Sequence, residues 1–220
     1  PEGNLLIDTT PELRLQLVRE RIGRIDAVLY THAHADHLFG LDDVRIFPIY
    51  LGHALPIYCR EEVEEVIRRA FAYAFDPAVQ AFPAGGIPKL EFRRLGDEAF
   101  EVLGARVVPI RLLHGRFRVL GFRIGDVAYC TDTSEIPAES FPLLEGLDVL
   151  ILDCLRREPH PTHLSLEEAL AVARRLAPRR TVFTHMCHRL EHEAISRELP
   201  PGVELAYDGM RIGLGLTKDE

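Results

Sequence analysis

The chain has 220 residues, 47% hydrophobic and 27% charged, a balance that permits a buried core and excludes a disordered or fibrous class. Its 34 acidic residues outnumber its 26 basic ones, for a formal net charge of -8, so a partner held by broad phosphate neutralisation, such as long nucleic acid, is disfavoured. Four scattered cysteines (Cys59, Cys130, Cys154, Cys187), no basic-then-apolar leader and no long uncharged apolar run predict a cytoplasmic protein with reduced thiols and no membrane span.

In chain order, Asn4 to Ile7 is the first strand candidate, and it ends on Asp8. Thr10-Pro11-Glu12 reads as an N-cap with proline at the first helical position, leading into Leu13, Leu15 and Val18. Ala27 to Thr31 and Leu55 to Cys59 read as strands, and Glu61 to Phe75 as a helix with Val63, Val66, Ile67 and Ala70 on one face. Asp76 to Pro88 contains three prolines and Gly85-Gly86. With Phe71, Tyr73, Phe75 and Phe82, the 60–90 stretch reads either as a helical and loop flap or as an ordinary surface loop with core aromatics. Val107 to Leu113, Val119 to Ile124, Val127 to Thr131, Val149 to Leu152, Thr181 to Thr184 and Val203 to Tyr207 complete the strands. Ser165 opens a helix through Ala173, with Glu168 closing a capping box. Strands alternating with helices over this length predict a single α/β domain over 1–220, sheet inside and helices outside.

Immediately after the apolar run Ala27 to Tyr30 comes Thr31-His32-Ala33-His34-Ala35-Asp36-His37. On an extended chain alternate residues point the same way, so His32 and His34 can share one metal. Asp36 and His37, beyond a bend, can address a second. A catalytic ion needs about three protein ligands plus an open position. Further candidates sit at strand C-termini: Asp8 after Leu5-Leu6-Ile7, His114 after Leu112-Leu113, Asp132 after Cys130-Thr131 and His185 after Phe183-Thr184. Strand ends of a layered sheet meet along one rim, where such residues can converge. Alone, Asp8 reads equally as a turn cap and His114 as a turn residue. Asp132 is the natural bridge, one carboxylate oxygen to each cation.

His163, just before the Ser165 N-cap, is read as a group that stabilises charge or delivers a proton rather than as a ligand, with a solvated capping histidine as the bland alternative. His188 and His192 are either second-shell partners that orient ligands or surface residues. Asp153 ends a strand, with no metal role beyond supporting a ligand from behind, and His53 and His160 have only ordinary readings.

The H-x-H-x-D-H run, with Asp8 upstream and His114, Asp132 and His185 downstream in order, resembles the metallo-β-lactamase superfamily of binuclear metallohydrolases, across essentially the whole chain. Asn4 to Arg14 (NLLIDTTPELR), Gly40 to Arg45 (GLDDVR), Thr131 to Ile136 (TDTSEI) and Thr184 to His188 (THMCH) resemble the PhnP-like branch, which contains a cyclic-phosphate phosphodiesterase. The resemblance implies a four-layer αββα sandwich with metals at one edge. It implies His32, His34 and His114 on one ion, Asp36, His37 and His185 on the other, Asp132 bridging and Asp8 in the second shell. Asp36 also counts among the catalytic residues, and His163 matches the family's loop histidine implicated in phosphodiester cleavage. The family's N-terminal strand pair and Cys-rich loop would precede Asn4, so the chain is expected to lack them. A structural zinc using the position of His188 is therefore not supported.

The expected activity is hydrolysis of a small, cyclic phosphodiester by in-line attack of a hydroxide bridging two divalent ions (Zn, Mn or Fe), with His163 assisting the departing alkoxide. The rivals are a nuclease on DNA or RNA ends, a thioester or lactone hydrolase of the same superfamily, and a metal-binding or redox module without hydrolytic activity. Oligomeric state is not readable from these residues, and a homodimer is compatible with them.

Overall fold

The computed structural model describes residues 3–81 and 86–214. Its first half holds β1 (Leu5–Ile7), α1 (Leu13–Glu20), β2 (Ala27–Leu29), α2 (Ala35–Leu38), α3 (Phe47–Leu51), β3 (Leu55–Cys59), α4 (Glu61–Ala70), α5 (Pro77–Gln80) and β4 (Leu90–Arg94). These four strands pair in chain order as an all-parallel sheet. The second half holds β5 (Phe100–Val102), β6 (Ala105–His114), β7 (Phe117–Ile124), β8 (Val127–Cys130), β9 (Val149–Asp153), α6 (Leu166–Leu176), β10 (Arg180–Thr184), α7 (His192–Glu198) and β11 (Val203–Leu205). Its seven strands order as β11-β10-β9-β8-β7-β6-β5, parallel from β8 to β11 and antiparallel from β5 to β8.

Side-chain alternation sorts each strand between two faces. Ala27 and Leu29 of β2 pack with Val107, Leu120 and Phe122 of the other sheet, whereas Val28 and Tyr30 pack with Leu13, Ile57, Val63 and Ile67 beneath α1 and α4. On the far side, Ile110, Leu112, Ala128, Leu150 and Phe183 pack with Leu166 and Ala169 of α6 and Ile195 of α7. Three apolar layers between helix, sheet, sheet and helix make the expected αββα sandwich. Among the described residues no helix is long and apolar enough to cross a membrane, and all four cysteines are free thiols, three of them buried.

Several boundaries differ from the sequence reading. α1 begins at Leu13 because Thr10 gives its hydroxyl to the Glu12 carboxylate at 3.0 Å rather than capping a helix amide, which leaves Pro11 in the preceding turn. The helix from Glu61 ends at Ala70, and a 3-10 turn covers Ala72–Phe75. That turn lets Phe75 stack near Phe92 of β4, with the Arg68 guanidinium 4.7 Å from each ring. The two edge strands β4 and β5 are absent from the sequence reading. β4 carries three charges in five residues and β5 is three residues long, so neither shows a clean apolar alternation. Of the flap reading, α5 opens on Asp76 as its N-cap, whereas Phe82 and the rest of 82–85 lie outside the described residues. The Ser165 capping box is formed in both directions with Glu168.

Candidate metal centre

β2 ends at Leu29, the chain bends at Thr31, and His34 is extended, with φ and ψ of -67° and 154°, before α2 begins at Ala35. His32 and His34 therefore precede the helix, while Asp36 and His37 occupy its first turn. Two backbone bonds pin this corner to the end of β1: Thr9 N–H donates to the His37 carbonyl at 2.7 Å and Gly40 N–H to the Thr9 carbonyl at 2.9 Å. Gly40 is required there, because a Cβ would stand 1.9 Å from the Thr10 carbonyl oxygen.

The other candidates arrive at the C-terminal ends of their strands, as the rim argument requires. Asp8, Asp132 and His185 follow β1, β8 and β10, and all three hold left-handed backbone, with φ of 61°, 50° and 63°. Non-glycine residues there are strained by about 1–3 kcal/mol, and such strain gathers where side chains must be aimed. His114 is the last residue of β6, and Asp153 the last of β9.

Three sets of ligand atoms converge, each within 4.8 Å of one another: His32, His34, His114 and Asp132; Asp36, His37, Asp132 and His185; and Asp153, His163 and His185. Asp132, 2% exposed, belongs to the first two. Its Oδ2 lies 3.8 Å from His32 Nε2, and its Oδ1 lies 3.2 Å from His37 Nε2 and 3.3 Å from His185 Nδ1.

Hydrogen bonds fix which nitrogens face inward. Asp8 accepts Thr31 N–H at 2.8 Å, the Thr31 hydroxyl at 2.7 Å and His37 Nδ1–H at 2.8 Å. With its one proton given to Asp8, Thr31 Oγ1 accepts from His32 Nδ1 at 2.9 Å. His114 Nδ1 likewise donates to the Thr162 carbonyl at 2.7 Å. His32, His37 and His114 thus each turn Nε2 inward. His32 Nε2 is buried and has no hydrogen-bond partner among the described residues. An orphaned imidazole nitrogen aimed at a carboxylate, with three imidazoles and one carboxylate in the first set and two of each in the second, fits a divalent transition metal.

The electrostatics agree. Burial alone would raise the Asp132 carboxyl, yet His37, His185 and His32 hold it below the usual carboxylate range. Burial alone would lower His37, but hydrogen bonds to Asp132 and Asp8 outweigh it and raise it to about 10. Burial together with the charge on His37 lowers His32 to about 3. A cation at the inward nitrogens relieves both demands, replacing the His37 proton and satisfying the neutral His32.

His163, 9% exposed, lies beside the centre, its ring 4.6 Å from that of His114 and stacked on His185 at 4.8 Å. Its Nδ1 lies 2.9 Å from Asp153 Oδ1, and Asp153 Oδ2 accepts Leu164 N–H at 2.9 Å. Asp153 was not read from the sequence as the partner of His163. Its position at a strand end was the available signal, but the pairing depends on how the 154–165 loop returns to the sheet. Thr31 and the Thr162 carbonyl were likewise missed as orienting groups. His188 sits exposed after β10 and His192 starts α7, both outside the three convergent sets.

Fold and site together define a domain of the metallo-β-lactamase fold with a candidate metal centre at its rim. The family described as "Beta-lactamase superfamily domain" matches residues 3–186, and the chain belongs to it. The structure of a diphosphatase from the PhnP family is 44% identical, with a TM-score of 0.86 over 94% of this chain and 77% of that one. The short form of human tRNase Z, 22% identical, has a TM-score of 0.69 over 97% of this chain and 89% of its own, a likeness of fold. A protein of Porphyromonas gingivalis named octanoyltransferase is 34% identical over 209 residues, but the chain spans 94% of itself and only 41% of that relative.

Proposed function

We propose that this chain is a binuclear metal-dependent phosphodiesterase acting on a small phosphodiester, cyclic ones included. The reading rests on Asp132, whose two carboxylate oxygens serve both convergent ligand sets, with His163 alongside them. His32, His34 and His114 would hold one ion, Asp36, His37 and His185 the other, and Asp132 both. Divalent ions there would supply positive charge for the phosphoryl oxygens and lower the pKa of a bound water to about 7.

The chain's own residues do the rest. Asp8 and Thr31 fix the tautomers of His37 and His32, so the donor atoms are oriented before any ion arrives. Asp153 holds His163 by Nδ1 and leaves Nε2 free. Burial would lower His163, but the Asp153 carboxylate outweighs it and raises the imidazole above its ordinary value. A histidine that keeps its proton near neutral pH suits donation to a departing alkoxide.

The 44% identical diphosphatase favours a second reading, in which the scissile bond is a diphosphate linkage. The same centre serves either, since both present a phosphorus atom carrying two bridging oxygens. The test is His163→Ala assayed on a panel of cyclic phosphodiesters, diphosphate esters, oligonucleotides and thioesters. Metal retention with a rate loss of about 10²–10⁴ on the best phosphate substrate supports the reading. Full activity of the variant removes His163 from the chemistry, and preferential hydrolysis of the thioester overturns the phosphodiesterase assignment.

A further inference from the structure

The hairpin beside the centre displays an aromatic ring that packing does not require. β6 and β7 are joined by the two-residue turn Gly115-Arg116, with His114 paired to Phe117 across it. The turn is held firmly: His114 binds the Thr162 carbonyl, Gly115 N–H donates to Ser134 Oγ at 2.9 Å, and Leu113 N–H donates to the Glu135 carbonyl at 3.0 Å. Gly115 has φ of 61°, and a Cβ there would come 2.9 Å from Thr162 Cγ2, so the turn is pressed against the loop that carries His163. Phe117 is nevertheless 50% exposed, its ring edge-on to the His34 imidazole with 6.0 Å between centroids. The exposed Arg116 places its guanidinium over one face of the same ring, 5.4 Å from the centroid.

We propose that Phe117 and Arg116 form a nucleobase subsite, so that the substrate of this centre is a nucleotide: its base stacks on Phe117, and Arg116 balances the charge of its phosphate chain. The inference rests on the phosphate-ester reading and narrows it to a substrate class. The ring face opposite the guanidinium, on a rigid turn, takes any base, and the guanidinium on the other face adds charge for the anionic linkage. An acyl chain would instead gain from an apolar channel, which a single exposed ring flanked by a cation does not provide. The edge contact with His34 puts the ring next to the first ligand set, within reach of the base when the reacting phosphate sits at that set.

The test compares adenosine 5′-monophosphate with ribose 5-phosphate, by calorimetric binding to the metal-loaded full chain. It uses the wild type, Phe117→Ala, Phe117→Trp and Arg116→Ala, and measures hydrolysis of an adenosine diphosphate ester and its base-free ribosyl analogue in parallel. The expected result is binding of the base-containing ligand tighter by about tenfold or more, an advantage lost in Phe117→Ala and kept in Phe117→Trp. Arg116→Ala should weaken both ligands. Equal binding of the two ligands by the wild type, or an undiminished preference in Phe117→Ala, overturns the subsite. A base preference that survives while the wild type hydrolyses neither these esters nor any cyclic phosphodiester of the panel above overturns the phosphate-ester reading and leaves the subsite standing.

Discussion

Asp153 Oδ1 stands 2.9 Å from His163 Nδ1, and the same carboxylate accepts the backbone N–H of Leu164 through its other oxygen. One fully buried side chain at the end of β9 thus fixes both the loop and the imidazole it carries. Asp153→Asn keeps the shape but presents either a donor or a neutral acceptor to Nδ1, which removes the preference for a protonated His163. We expect metal content unchanged and kcat on the best phosphate substrate lower by about 10². The alkaline limb of the pH–rate profile should move to lower pH, because the lost partner is the one that raises His163. An unchanged profile would show that Asp153 only supports the loop.

Gly40 approaches Thr10 so closely that an added methyl group would meet its carbonyl oxygen at 1.9 Å. The contact joins the end of α2 to the strand end that carries Asp8, so Gly40→Ala should cost about 1–3 kcal/mol of stability and weaken metal binding together. Denaturant unfolding of the metal-free variant, followed by metal titration, separates the two effects. A variant as stable as the wild type would show that the corner relaxes freely.

Glu64 is 5% exposed and accepts hydrogen bonds from Arg68 at 2.7 Å and Arg94 at 2.8 Å, which join α4 to β4. Burial alone would raise its carboxyl, but the two guanidinium groups outweigh it and hold it below its ordinary value. A carboxyl lowered by folding stabilises the native state above its unfolded value of about 4.3, and that stabilisation fades as pH falls through the folded value. Glu64→Gln should therefore cost about 1–2 kcal/mol at pH 7, and the gap from wild type should narrow below about pH 4. A pH-independent gap would assign the loss to packing.

The histidine-rich loop stood out as a candidate because its chemistry is local: three imidazoles and a carboxylate within six residues have few other uses. Asp8, His114, Asp132 and His185 were readable because strand ends share a rim, which is a property of topology more than of exact register. What escaped depends on tertiary geometry. Asp153 meets His163 only because the loop after β9 returns to the sheet, and Thr31 relays Asp8 to His32 through a hydroxyl that carries no sequence signature. β4 and β5 escaped because edge strands carry charge or are short, which erases the alternation that marks a buried strand. The Thr10-Pro11-Glu12 cap failed because the Glu12 carboxylate competes for the Thr10 hydroxyl.

Metal stoichiometry tests the account most directly. Full-chain protein stripped of metal and titrated with Zn²⁺ or Mn²⁺ should bind two ions. Asp132→Ala should weaken both sites, because its carboxylate stands in both ligand sets. Loading at about 100 times the dissociation constant should stabilise the wild type by about 2.7 kcal/mol per site and raise Tm by several degrees. Binding of a single ion, or of two ions whose affinities Asp132→Ala leaves intact, would contradict it.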